Sequence, residues 1–222
     1  MAKAAQLIRT LKKELEPVEW EIRRHPYLEE VEAGRATRED LRIFAGEQYH
    51  IIRSDLRSVA LMVNRFGSSP SGPFFQGVLS GEAAALAALR AFAGAVGLLE
   101  SHLQTFEPHP GAQAYPAFMA WLALYGSDAE VAAGFLVNFT AWGANCGRMS
   151  RALRARYRMG KIETAFFDLF ASPPAEFERG ALAAVESGLA RGVEPRLIKR
   201  AARLLQGYEK LYWDTLAALS RR

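Results

Sequence analysis

Helix breakers divide this chain so evenly that few folds are open to it. Gly67-Ser-Ser-Pro-Ser-Gly-Pro73, the Pro108-His-Pro110-Gly111 stretch, Gly160, Ser172-Pro-Pro174 and Glu194-Pro195 separate segments in which apolar residues recur every three or four positions. No segment alternates with the period of two that a half-buried strand requires. Thr37 with Asp40 three residues on, and Ser127-Asp128 before an apolar stretch, read as N-caps followed by a negative first turn. From Thr37 a helix is predicted to about Phe66. A second covers roughly 74–96, with Gly81 as a weak point. A third starts at Ser127-Asp128, runs beyond Ala155 and is closed by Gly160. The last opens with Pro195 in its first turn. About eight to ten helices joined by short loops predict an all-α, compact multi-helix bundle.

Composition narrows the classes. Of 222 residues, 50% are hydrophobic, enough for one buried core, so one domain over residues 1–222 is expected. The longest uninterrupted apolar runs are short, and no signal-type stretch follows the first residues, so neither secretion nor membrane spanning is expected. A lone Cys146 forbids an internal disulfide and suits a reducing, cytoplasmic setting. The net charge of +4 is small. Arg148, Arg151, Arg154, Arg156, Arg158 and Lys161 are spread around a helix and carry no recognised binding motif, so no nucleic-acid partner is expected.

Few residues could carry chemistry. Glu47 and His50 lie three apart on one helix and could share a metal ion, with Glu82 as a third ligand; a surface or capping pair explains the same spacing. His102 and His109 fall in a polar loop region and read as exposed. His25 precedes Pro26, where it could face a ligand or cap backbone groups. Cys146 could be a nucleophile only beside a charge that lowers its pKa, such as Arg148 or Arg151; a buried, inert thiol is the other reading. Glu209 lies beside the apolar face of the last helix, formed by Leu197, Ala201, Leu204, Leu205, Tyr208 and Tyr212, and is expected to face the interior and point toward Tyr49. Surrounded by aromatic side chains, its carboxyl would be held protonated and suited to acid/base work; pairing with Lys210 at the surface is the alternative.

A set of landmarks runs almost end to end: Arg24-His25-Pro26-Tyr27, Phe44-Ala-Gly-Glu47-Gln48-Tyr49-His50, Tyr115-Pro-Ala-Phe-Met-Ala-Trp121, Trp142-Gly-Ala-Asn-Cys146-Gly147 and Tyr208-Glu209-Lys-Leu-Tyr-Trp213-Asp214. In order and interval, over roughly residues 20–216, they resemble the thiaminase II (TenA)/PqqC superfamily, helical proteins of the heme-oxygenase-like fold. The resemblance implies a small-molecule pocket between helices, no cofactor and a homo-oligomer. It places Tyr49, Tyr115 and the catalytic acid Glu209 in that pocket. The pyrimidine-binding Asp of thiaminase II is Gln48 here, its nucleophilic Cys is Phe139, and a pocket Tyr is Phe170, which implies a more apolar pocket without thiaminase activity. Similarity to PqqC places His25 and Arg151 at the pocket, while Arg148 replaces one of its histidines and another has no match near Leu86 or Leu89.

The expectation is a divergent member that binds or transforms a small aromatic or heteroaromatic molecule, in a pocket lined by His25, Gln48, Tyr49, His50, Tyr115, Phe139, Trp142, Arg151, Phe170 and Glu209. Two alternatives stay open. One is a nonheme iron oxygenase using Glu47, His50 and Glu82. The other is a noncatalytic binding or regulatory protein.

Overall fold

The structure, a computed structural model, describes residues 2–220. Ten helices account for the secondary structure among these residues, and none of them is in a strand. They are α1 (Ala2–Arg23), α2 (Pro26–Glu32), α3 (Arg38–Phe66), α4 (Gly72–Ala95), α5 (Glu100–Gln104), α6 (Pro110–Tyr125), α7 (Asp128–Tyr157), α8 (Ala165–Ala171), α9 (Ala175–Ala190) and α10 (Pro195–Leu219).

The two longest helices start where side chains satisfy their free N–H groups. Asp40 N donates to Thr37 Oγ1 (3.1 Å) while Thr37 N donates to Asp40 Oδ2 (2.7 Å), a capping box that opens α3. Ser127 and Glu130 repeat this exchange at α7, at 3.3 and 2.8 Å. Proline occupies the first turn of α2, α6 and α10, where no donor is lost. Helix α7 ends on Arg158 in the left-handed region (φ 58°), two residues before Gly160. Helix α4 runs unbroken through Gly81, so the expected weak point is absent; packing on α3 outweighs one glycine's cost of about 1 kcal/mol.

Helix α3 packs most extensively on α4 and α6, and α10 on α7 and α6, with α8 and α9 laid against α7. Two apolar clusters result. One gathers Phe44, Trp142, Phe166, Phe167, Tyr212 and Trp213; the other gathers Phe74, Phe75, Phe135, Leu136 and Leu205. Tyr115 packs against both. Helix α4 is long and apolar enough to cross a membrane by length and composition alone. Its many alanines and glycines keep the longer average apolar without a bulky stretch. Here it lies against α3 and carries Glu82 and Arg90.

Candidate functional site

Where the two clusters meet, the helices leave a cavity of about 50 Å³. That is room for roughly three or four waters; a cavity that holds a benzene ring is about 150 Å³, so a ring enters only if the lining side chains move apart. Its walls come from α3, α4, α6, α7, α8 and α10. Along α3 the contributors are Gln48, Ile51, Ile52 and Asp55, the i, i+3, i+4, i+7 series that shares one helix face. Tyr115, Phe139, Trp142, Phe170 and Tyr212 add aromatic surface.

Three carboxylates enter this largely apolar space: Asp55, Glu82 and Glu209, all buried. Glu209 is held from two sides. Asn138 Nδ2 donates to its Oε2 at 2.5 Å, and Trp213 Nε1, one turn further along α10, donates to its Oε1 at 3.2 Å. Burial pushes the Glu209 carboxyl up from 4.5 to about 8, against the stabilising effect of the Trp213 bond. Asp55 and Glu82 are both pushed up by burial, and Asp55 is raised further by the charge of Glu82. Asp55 Oδ1 has no hydrogen-bond partner among the described residues. The Tyr115 hydroxyl is held well above its ordinary pKa by burial and by Asp55, Glu82 and Glu209, so it stays a neutral donor.

Six of the anticipated pocket residues therefore line one cavity: Gln48, Tyr115, Phe139, Trp142, Phe170 and Glu209. The other four lie elsewhere. Tyr49 is one residue, about 100° of helix, off the face of Gln48. Its hydroxyl donates to Glu100 Oε1 (2.9 Å) on α5, so Glu209 points to Asn138 and Trp213 and not to Tyr49. His50 is turned further round and packs against the Tyr49 and Phe106 rings, its Nε2 buried without a partner among the described residues. His25 caps α2: Tyr27 N donates to its Nδ1 (3.4 Å), and its Nε2 sits 3.1 Å from Asp214 Oδ1. Arg151 is exposed on the outer face of α7, beside Gly147.

The alternative ligand set does not assemble either. The Glu47 carboxylate is fully buried, accepts from both His109 N (2.8 Å) and His109 Nδ1 (2.7 Å), and thereby closes the N-terminus of α6. It is not a surface pair with His50, and His109 is not a free loop residue. Glu82 instead faces the cavity with Asp55. Among the described residues, no group of three or more His, Cys, Asp or Glu side chains could hold a metal ion. Cys146 is buried, and burial together with Glu209 raises its thiol well above the ordinary range, which makes it inert. Glu209 is buried and Lys210 pairs with Asp214 (2.8 Å) instead, so the surface pair between them does not form. The basic residues of α7 are largely spent on the protein itself: Arg148 on Glu32, Arg154 on Asp168 and Arg156 on the Glu32 carbonyl.

Sequence reasoning missed Asp55 and Asn138 and gave Glu82 only a metal role. Asp55 had a usable signal, seven residues after Gln48 on the same face. Asn138 did not, because its importance comes from a partner on a distant helix.

The model of the TENA/THI-4/PQQC family matches residues 12–217. The chain belongs to that family. Solved structures agree on the fold. A TenA homologue from Pseudomonas syringae pv. tomato superposes with a TM-score of 0.77 at 13% identity, covering 95% of this chain and 92% of that one. A TenA homologue from P. horikoshii gives 0.76 at 16% identity, covering 95% and 97%. A domain of unknown function with a heme oxygenase-like fold from Shewanella denitrificans gives 0.69 at 16% identity, covering 99% and 91%. This TenA-type chain therefore has the heme oxygenase-like fold. No match emerges among curated proteins.

Proposed function

We propose that this TenA-family protein binds, and acts by acid/base chemistry on, a small nitrogen-bearing aromatic or heteroaromatic molecule in the cavity at Glu209. The observation that carries this reading is the presence of three buried carboxylates, Asp55, Glu82 and Glu209, in otherwise apolar walls. A buried carboxylate without a full set of partners costs several kcal/mol. A ligand with N–H donors or a positive charge recovers that cost, and the rings of Trp142, Phe139 and Tyr212 give a planar group apolar faces to lie against.

Glu209 is the residue suited to move a proton. Raised to about 8, it carries a proton at neutral pH and can both give and regain one. Asn138 and Trp213 fix its orientation. Tyr115 supplies a neutral donor. Phe139 has no nucleophilic atom, so covalent catalysis of the thiaminase type is not part of the reading. We place the chain in the cytoplasm as a homo-oligomer, for which the adjacent exposed Trp121 and Tyr125 on α6 offer apolar surface.

The test is a thermal-shift and calorimetric panel of amino-substituted pyrimidines and pyridines beside their unsubstituted ring analogues. The amino compounds should bind, and Asp55→Asn and Glu209→Gln should each weaken them at least tenfold. Equal binding of amino and unsubstituted rings would overturn the reading.

A further inference from the structure

Behind the cavity wall formed by Phe139, Phe170 and Glu82 lies a second hollow of about 250 Å³, five times larger, between α4, α8 and α9. Those three side chains line both spaces, so the hollows are neighbours through one layer of side chain. The outer hollow is walled by Phe74, Val78, Leu169 and Phe177, with Pro173 and Pro174 at the α8–α9 connection. Its only polar side chains are Glu82 and Glu176, and no Lys, Arg or His lines it. Leu169 at this site is half exposed, an apolar side chain left in contact with water.

The floor is set by two glycines one helical turn apart on α4. A Cβ placed on Gly77 or Gly81 meets nothing within 4 Å, so neither glycine is demanded by close packing. Gly72, by contrast, would drive a Cβ to 2.3 Å from the Gly67 carbonyl oxygen. Glycines inside a helix weaken it. Both are exposed on the face of α4 that lines the hollow, so a side chain at either would project into it.

We propose that this outer hollow is the second half of the binding site, and that the natural ligand is elongated: a cationic or N–H-rich head among Asp55, Glu82 and Glu209, and an apolar tail or second ring over Gly77 and Gly81. The inference rests on the inner cavity being the head-group site. Charge selects among elongated ligands. An anionic head, such as a fatty acid's, meets carboxylates at both ends of the site and no cation, whereas an organic cation meets complementary charge and then apolar walls. To pass from one space to the other, a ligand must turn aside Phe139 or Phe170, whose rings lie 5.8 Å apart. Both are only partly buried, Phe139 stacked on Phe177 and Phe170 packed on Trp142 and Phe166, so the passage opens by parting these ring contacts.

A chain-length series separates head from tail. Calorimetry with n-alkylamines from propylamine to octylamine should show affinity rising about three- to fourfold per added methylene, the increment for burying a CH₂ group. Gly81→Leu or Gly77→Leu, each filling the floor, should flatten this dependence so that octylamine binds no better than butylamine. Asp55→Asn should instead weaken every member by a similar factor and keep the slope. A slope unchanged in both glycine variants, with folding verified by circular dichroism, would place the tail elsewhere and overturn the outer subsite while the head-group reading stands. No binding of any amine, or amine binding indifferent to Asp55→Asn, would overturn the head-group reading and the inference with it. Octanoate binding as well as octylamine would overturn the charge selection.

Discussion

Asn138 on α7 donates its amide N–H to Glu209 on α10 at 2.5 Å, and so ties the two helices together across the cavity. The bond favours the ionised carboxylate while burial opposes it. Removing the donor should therefore shift Glu209 upward. In Asn138→Leu the Glu209 midpoint, followed by carbon NMR of labelled glutamate, is expected above its value of about 8 in the parent protein. At pH 9 the variant should also lose roughly 1–3 kcal/mol of stability, because an ionised buried group has lost a partner. A midpoint that stays put would mean that Trp213 alone orients the acid.

The three cavity acids make stability depend on pH in a direction opposite to the usual carboxylate. Their folded pKa values lie above the unfolded ones, so the folded state binds protons more tightly. Their contribution is fully present below the unfolded values, 3.8 for Asp55 and 4.5 for the two glutamates, and is lost as pH rises toward about 8, where Glu209 ionises. A folded pKa one above the unfolded pKa corresponds to ~1.36 kcal/mol, so Glu209 alone makes this a matter of a few kcal/mol. Denaturant unfolding should give a protein less stable at pH 8.5 than at pH 5.5. Asp55→Asn should narrow that gap, stabilising at the higher pH while weakening ligand binding. An Asp55→Asn variant with the parent's pH profile would show that Asp55 does not hold a proton in the fold.

Gly143 is where α7 meets the end of α8. A Cβ there would stand 2.7 Å from the Phe170 carbonyl oxygen, a backbone atom that no rotamer change can move. Gly143→Ala should push α8 outward, displace Phe170 from the cavity and cost roughly 1–3 kcal/mol, despite alanine's better helix propensity. Gly207→Ala, where nothing lies within 4 Å, should gain a few tenths to about 1 kcal/mol. If both variants raise the melting temperature, the close approach of α8 is not what sets the cavity wall.

How far the sequence carries these conclusions differs between fold and site. The capping boxes at Thr37 and Ser127 and the breakers after Phe66 are local, so helix boundaries there could be read directly. Glu209 could be placed inside because its helix has a strong apolar face. Tyr49 was misplaced because a landmark fixes a position along the helix and not its rotation; one residue moves a side chain by about 100°. His109 was read as exposed because its partner, Glu47, lies 62 residues away, and no local pattern announces a bond of that span. The acidity of the cavity was hidden for a similar reason. The resemblance puts Gln48 where thiaminase II has a carboxylate, but Asp55 and Glu82 bring two from different helices, and only packing reveals that they meet.

Thiamin hydrolysis should be absent, and it should not be recovered by restoring a thiol alone. By the resemblance to thiaminase II, the nucleophile's position carries Phe139, whose ring stacks on Phe177 at 4.7 Å and has no atom able to attack. A cysteine placed there would line a largely apolar cavity with three carboxyl groups, Asp55, Glu82 and Glu209, and no cation. A thiol in such a place is not a thiolate at neutral pH, and no Lys, Arg or His lines the cavity to make it one. Phe139→Cys should therefore fail to release the pyrimidine and thiazole halves of thiamin, scored by liquid chromatography, and should react slowly with iodoacetamide below pH 9. Adding Gln48→Asp should not help, since a fourth carboxylate raises the thiol further. Hydrolysis by the parent protein, or by Phe139→Cys alone, would show that the cavity's electrostatics are not what separates this chain from the thiaminases it resembles.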